Sequence, residues 1–124
     1  PKFLFMSRDY LAVYEKEEIV AALNPDMGML ARVDDCLGVI VTAPGHDVDF
    51  VSRFFAPRVG VPEDPVTGSS HCTLIPYWSS VLNKKTLHAR QISSRGGELF
   101  CENMGDRVRI AGHAVIYLEG MIRI

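Results

Sequence analysis

One stretch, Glu63-Asp64-Pro65-Val66-Thr67-Gly68-Ser69-Ser70-His71, constrains this chain more than any other. Pro65 pushes Asp64 into an extended conformation, because the proline ring clashes with a helical residue before it. Gly68 lets the backbone bend or approach a ligand closely. Thr67, Ser69 and Ser70 are natural helix starters, since their side-chain oxygens accept hydrogen bonds from the first free N–H groups. An apolar helical pattern follows at once. The expected result is a carboxylate on a stiff elbow beside a helix N-terminus, which favours an anionic group. Residue types alone leave a second reading open, a plain capped turn ahead of a helix.

The helix is expected over residues 69–82. Cys72, Leu74, Ile75, Tyr77, Trp78, Val81 and Leu82 cover most of its circumference, so the pattern predicts a helix wrapped by protein. Pro76 predicts a kink, with Thr73 placed to satisfy the freed Cys72 carbonyl. Ahead of it, residues 4–15 read as strand material, and short helices are expected at 15–23 and 27–33. The run 36–42 and the segment 49–56 read as strands, the first buried and β-branched. Arg53 interrupts the second and is either structural or a ligand. After Asn83 the chain reads as strands at 86–93, 98–102, 107–111 and 114–118, with 121–124 placed to close the sheet. Periodicity by itself gives a mixed α+β domain.

The chain has 124 residues, 48% hydrophobic and 23% charged, which fits one globular domain over residues 1–124. A net charge of −2 implies no general attraction to nucleic acid or membrane surfaces. Neither a signal peptide nor a spanning segment is visible. Cys36, Cys72 and Cys101 have no metal-like spacing, so buried free thiols in a reducing cytoplasm are expected. There is no phosphate loop, nucleotide fingerprint or metal cluster, and a cofactor-free reaction is the default. A start at Pro1 is compatible with a fragment or a processed product.

Two blocks extend the central stretch: Ser52-Arg53-Phe54-Phe55-Ala56-Pro57-Arg58 before it, and Gly60-Val61-Pro62 leading through it to Cys72. With Pro76-Tyr77-Trp78 and Gln91-Ile92-Ser93-Ser94-Arg95-Gly96-Gly97-Glu98, they closely resemble the signature of the phenazine-biosynthesis PhzF-like isomerase family. The resemblance implies a diaminopimelate epimerase-like fold of two similar lobes, each a curved, mostly antiparallel sheet around one central apolar helix. The site would lie in the cleft between lobes, and this chain resembles the C-terminal lobe only.

By that resemblance Asp64 is the catalytic candidate, facing a glutamate from the N-terminal lobe that moves a proton on the substrate. Moving a proton on a small carbon acid needs a base on one side and a donor on the other. Gly68, Ser69, Ser70 and His71 are candidates for binding a substrate carboxylate, with helix capping as the plain alternative for the serines and a structural role for His71. Arg95 and Gly96 are candidates on the second glycine-containing stretch, which otherwise reads as a hairpin with an exposed arginine. Cys72 falls after the aspartate and is not expected to act as a nucleophile. The implied partners are a small organic or amino-acid-like acid and either an N-terminal lobe or a second copy of the chain. Three readings follow: the C-terminal lobe of a proton-relocating isomerase, a homodimer imitating the two-lobed enzyme, or a non-catalytic acid-binding or oligomerisation module.

Overall fold

The structure is a computed structural model, and it describes residues 1–123. Eight strands form one sheet: β1 (Phe3–Met6), β2 (Tyr10–Val13), β3 (Val39–Pro44), β4 (Phe50–Ala56), β5 (Val61–Asp64), β6 (Thr86–Gln91), β7 (Gly97–Asn103) and β8 (Val108–Ala111). Their order is β1-β2-β3-β4-β6-β7-β8, with β5 branching from the far half of β4. Neighbours are antiparallel except β2 with β3 and β4 with β6. Parallel neighbours need a crossover. Helices α1 (Glu17–Ala22) and α2 (Met27–Leu30) lie in the first crossover, and α3 (Gly68–Leu82) lies in the second.

The two crossovers cover opposite faces. Strand side chains alternate between faces. Ile40, Phe50, Phe54 and Ala56 join Leu74, Ile75 and Trp78 of α3 in one cluster. Val41, Ala43, Val51 and Phe55 join Val20 of α1 in the other. Burial on both faces explains why β3 and β4 read as nearly continuous apolar runs. On the α3 side, Trp78 stacks on Phe50 with ring centroids 5.7 Å apart and donates from Nε1 to the Thr42 hydroxyl at 3.0 Å. The Thr42 hydroxyl donates in turn to the Val51 carbonyl at 2.6 Å, so neither Trp78 nor Thr42 buries an unpaired donor there.

Arg53 has a structural role. Its guanidinium grips Glu63 with two hydrogen bonds of 2.7 and 3.0 Å. Its remaining nitrogen donates to the carbonyls of Val20, Ala21 and Leu23 at the end of α1. One side chain therefore caps the negative end of a helix dipole and pins β5 to the sheet. Glu63 directly precedes Asp64, so this clamp fixes the strand that carries the candidate acid.

Three expectations need correction. Helix α3 is not wrapped all round: its sheet-facing side is buried, while Cys72, Pro76, Ser80, Val81 and Leu82 are exposed. A single curved sheet reaches only one side of the cylinder. Exposure also accounts for Pro76, since water can reach the carbonyl it frees; the described residues contain no hydrogen bond from the Thr73 hydroxyl to it. The strand expected at 114–118 does not form, and neither do residues 121–123 close the sheet; Ile124 lies outside the described residues. Val115, Tyr117 and Ile122 are 91%, 98% and 91% exposed. An alternating run becomes a strand only where an edge and an apolar face receive it. Lastly, Cys72 is exposed and Cys36 half-buried, so only Cys101 is the buried thiol expected; burial pushes it up to about 11.

Replacing Arg53 by Ala strands Glu63 and leaves the α1 carbonyls to water. It should lower unfolding stability by about 3 kcal/mol in urea denaturation. A loss below about 0.5 kcal/mol would show that the clamp is ornamental.

Candidate active site

Strand β5 delivers Asp64, half-buried and extended as Pro65 requires, to the elbow before α3. The elbow is held from outside. Gln91, at the end of β6, is fully buried. Its carboxamide oxygen accepts from the Thr67 N–H at 2.8 Å. Its nitrogen donates to the Asp64 carbonyl at 2.7 Å and to the Thr67 hydroxyl at 3.1 Å. The loop after β6 adds a second tie, with the Ser93 hydroxyl donating to the Pro65 carbonyl at 2.7 Å. The Gly96 N–H donates back to the Ser93 hydroxyl at 3.1 Å. Gly96 has φ +68°, and a Cβ on Gly97 would come within 2.5 Å of Val66. The two glycines let the hairpin press against the elbow.

Thr67 stands at the N-cap of α3 but makes no capping hydrogen bond. Its hydroxyl donates instead to Oδ2 of Asp64. The N–H groups of Gly68 and Ser69 consequently have no acceptor among the described residues, and both residues are exposed. A cap spent on the acid leaves the helix end open to an anion.

Ser70 and His71 occupy different ground from that expected of them. They are 1% and 0% exposed, on the sheet side of the helix. The Ser70 hydroxyl donates to the Thr67 carbonyl at 2.9 Å, and Nδ1 of His71 lies 2.7 Å from the same oxygen. A carbonyl can only accept, so Nδ1 carries the proton and Nε2 is bare. Nε2 is buried without a partner among the described residues. These two side chains brace the first turn from inside and are not presented to a ligand. Burial holds the His71 imidazole below its ordinary value, against a smaller opposing pull from the Thr67 carbonyl.

A concavity of about 610 Å³ opens beside the elbow. Gly68, Arg95 and Gly96 line it, together with Val66, Glu98 and His113. The structure thus brings three of the candidate binding residues to one hollow; Asp64, Ser69, Ser70 and His71 are not among its walls. A second hollow, of about 640 Å³, lies at the other end of α3 among Asn83, Lys84, Lys85, Glu102 and Asn103. It is formed by the turns around a helix end and holds none of the candidate residues. Among the described residues no group of three or more His, Cys, Asp or Glu side chains is placed to hold a metal ion. No helix there is long and apolar enough to cross a membrane.

Sequence reasoning took Thr67 as a helix starter and Gln91 and Glu98 only as members of a motif, without their roles here, and it missed His113. A lone buried glutamine has no spacing signature, and Glu98 and His113 meet the elbow only through strand pairing. Residues 6–120 match the family described as phenazine biosynthesis-like protein. The chain belongs to that family. It is 60% identical over 114 residues to an uncharacterized isomerase of Pseudomonas aeruginosa, a match that takes in 92% of this chain and 43% of the relative. It is 51% identical over 92 residues to the human phenazine biosynthesis-like domain-containing protein, 68% of this chain and 32% of the other.

Among solved structures, a PhzC/PhzF phenazine biosynthesis protein from Clostridium difficile superposes with TM-score 0.88 at 46% identity, over 98% of this chain and 47% of that one. A PhzF-family protein from Enterococcus faecalis superposes with TM-score 0.89 at 49% identity, over 93% and 44%. The PhzF-like α+β fold and isomerase kinship expected from the sequence are therefore right. The chain spans less than half the length of these relatives.

The buried neutral His71 sets a pH dependence. Its value in the unfolded chain is near 6.5, and burial lowers it in the fold. As pH falls, the unfolded chain takes the proton first, so stability is full above about 6.5 and is lost below it, by at most about 1.4 kcal/mol per pH unit. His46, paired with Glu18, is raised and works in the opposite sense. Comparison with His71→Asn cancels that contribution. The wild-type urea midpoint should fall more steeply than the variant's from about pH 7 to about pH 5; parallel slopes would contradict a neutral buried imidazole.

Proposed function

We propose that this chain is the C-terminal lobe of a cofactor-independent PhzF-like isomerase that relocates a proton on a small organic or amino-acid-like acid. The observation that carries the reading is the pairing, on one elbow, of a tethered carboxyl group with uncapped helix N–H donors. The donors of Gly68 and Ser69, with the Arg95 guanidinium across the adjoining hollow, suit a substrate carboxylate. Asp64 then assists the proton transfer from one side. An opposing glutamate from an N-terminal lobe supplies the base, as the family resemblance implies, and closure of the two lobes excludes water.

The surface supports the need for a second body. Phe3, Leu4, Phe5 and Met6 of the edge strand β1 are 49%, 60%, 48% and 56% exposed, an apolar edge that a lone domain seldom leaves open. The same surface fits a second copy of the chain. A strictly monomeric species at high concentration, measured by light scattering, would remove that alternative.

The test is deuterium uptake from solvent into a panel of small 2-amino and cyclic acids, with the chain joined to or mixed with an N-terminal lobe. Asp64→Asn should reduce exchange by at least about 100-fold. Arg95→Met should raise KM about tenfold, as expected for loss of a charge-assisted contact. Undiminished exchange in the Asp64 variant would refute the proposal. Tight acid binding with no exchange in either form would favour the non-catalytic module.

A further inference from the structure

The only glutamine in the sequence, Gln91, is 0% exposed, and every hydrogen bond its side chain makes is directed at the acid-bearing elbow. Its orientation is fixed by its partners. A flipped carboxamide would set NH2 against the Thr67 N–H and oxygen against the Asp64 carbonyl, two repulsive pairs. With Nε2 donating to the Thr67 hydroxyl, that hydroxyl must accept there. It has one proton of its own, and the remaining close partner is Oδ2 of Asp64. Direction therefore passes along the set: Gln91 donates to Thr67, and Thr67 donates to Asp64. Oδ1 of Asp64 has no hydrogen-bond partner among the described residues.

We propose that Gln91 is a positioning residue for Asp64: acting through the Thr67 hydroxyl it tethers Oδ2, fixes the side-chain torsion, and leaves Oδ1 as the atom offered to substrate. The inference rests on the reading of Asp64 as the acting group in proton transfer. Gln91 and Thr67 touch no substrate in this scheme. They restrict the acid to one orientation before a substrate arrives, which is the entropic part of placing a proton donor or acceptor. A polar pair buried for that purpose also explains why β6 ends in a fully buried carboxamide, where an aliphatic side chain would bury no polar atoms.

The test reads the torsion directly by NMR three-bond couplings at Asp64, with no need for turnover. The wild-type chain should show one staggered χ1 rotamer. Thr67→Val keeps the shape but removes the donor, and the couplings should collapse toward rotamer averages; Thr67→Ser should restore them. Gln91→Met should average them as well, and adding Thr67→Val to it should produce no further change. If Gln91→Met does not fold, the wild-type side-chain amide decides instead. Both Nε2 protons should exchange with solvent at least about 100-fold more slowly than those of an exposed carboxamide. A single retained rotamer in Thr67→Val, failure of Thr67→Ser to restore it, or rapid exchange of the Gln91 amide protons would each overturn the proposal. In the two-lobed assembly Thr67→Val should lower kcat about tenfold with KM within about twofold. If the torsion responds as expected while Asp64→Asn keeps full exchange activity, the tether stands and the catalytic reading falls.

Discussion

The Gln91 carboxamide is the contact on which the candidate site depends. It joins the end of β6 to the carbonyl of Asp64 and to the N–H and hydroxyl of Thr67. Without it, the elbow between β5 and α3 would have to hold itself, and Thr67 would be free to cap the helix as residues at that position commonly do. The tie diverts the cap to the acid. The same diversion leaves the helix end with open donors, so one buried side chain produces both halves of the site: an oriented carboxyl and a place for an anion.

The rest of the fold keeps that tie in register. Helices on opposite faces bury β3 and β4 from both sides, and Ser52 of β4 runs parallel beside Gln91. Arg53, pointing the other way, secures Glu63 next to the acid. Asp64 is thereby held through its side chain by Thr67, through its carbonyl by Gln91, and through its neighbour by Arg53. His71 adds a bracket from within at the cost of a bare buried nitrogen, a penalty of about 1–3 kcal/mol.

Much of this was legible in the sequence, for reasons that differ by element. Apolar runs with β-branched residues marked β3 and β4 because both faces are covered. The Asp64-Pro65 pair marked an extended acid ahead of a helix, and the long ordered motif around it identified the family. The inward turn of Ser70 and His71 was not legible. Residues in a first helical turn point in or out according to where the sheet lies, and that is a tertiary fact. Nor could the role of Gln91 be read, since its partners lie 24 and 27 positions away and a carboxamide leaves no pattern. The run at 114–118 carried a strand signal that no neighbour in this chain receives; propensity without a partner edge makes no strand.

The central claim is that the elbow is held from β6 and does not cap itself. Amide hydrogen exchange on the unmodified chain tests it most directly. If the account is right, the Thr67 N–H, bonded to Gln91, exchanges as slowly as the core amides of β6, while the N–H groups of Gly68 and Ser69 one and two positions on exchange at nearly the rate of an open chain. Exchange of Thr67 as fast as that of Gly68 would contradict it.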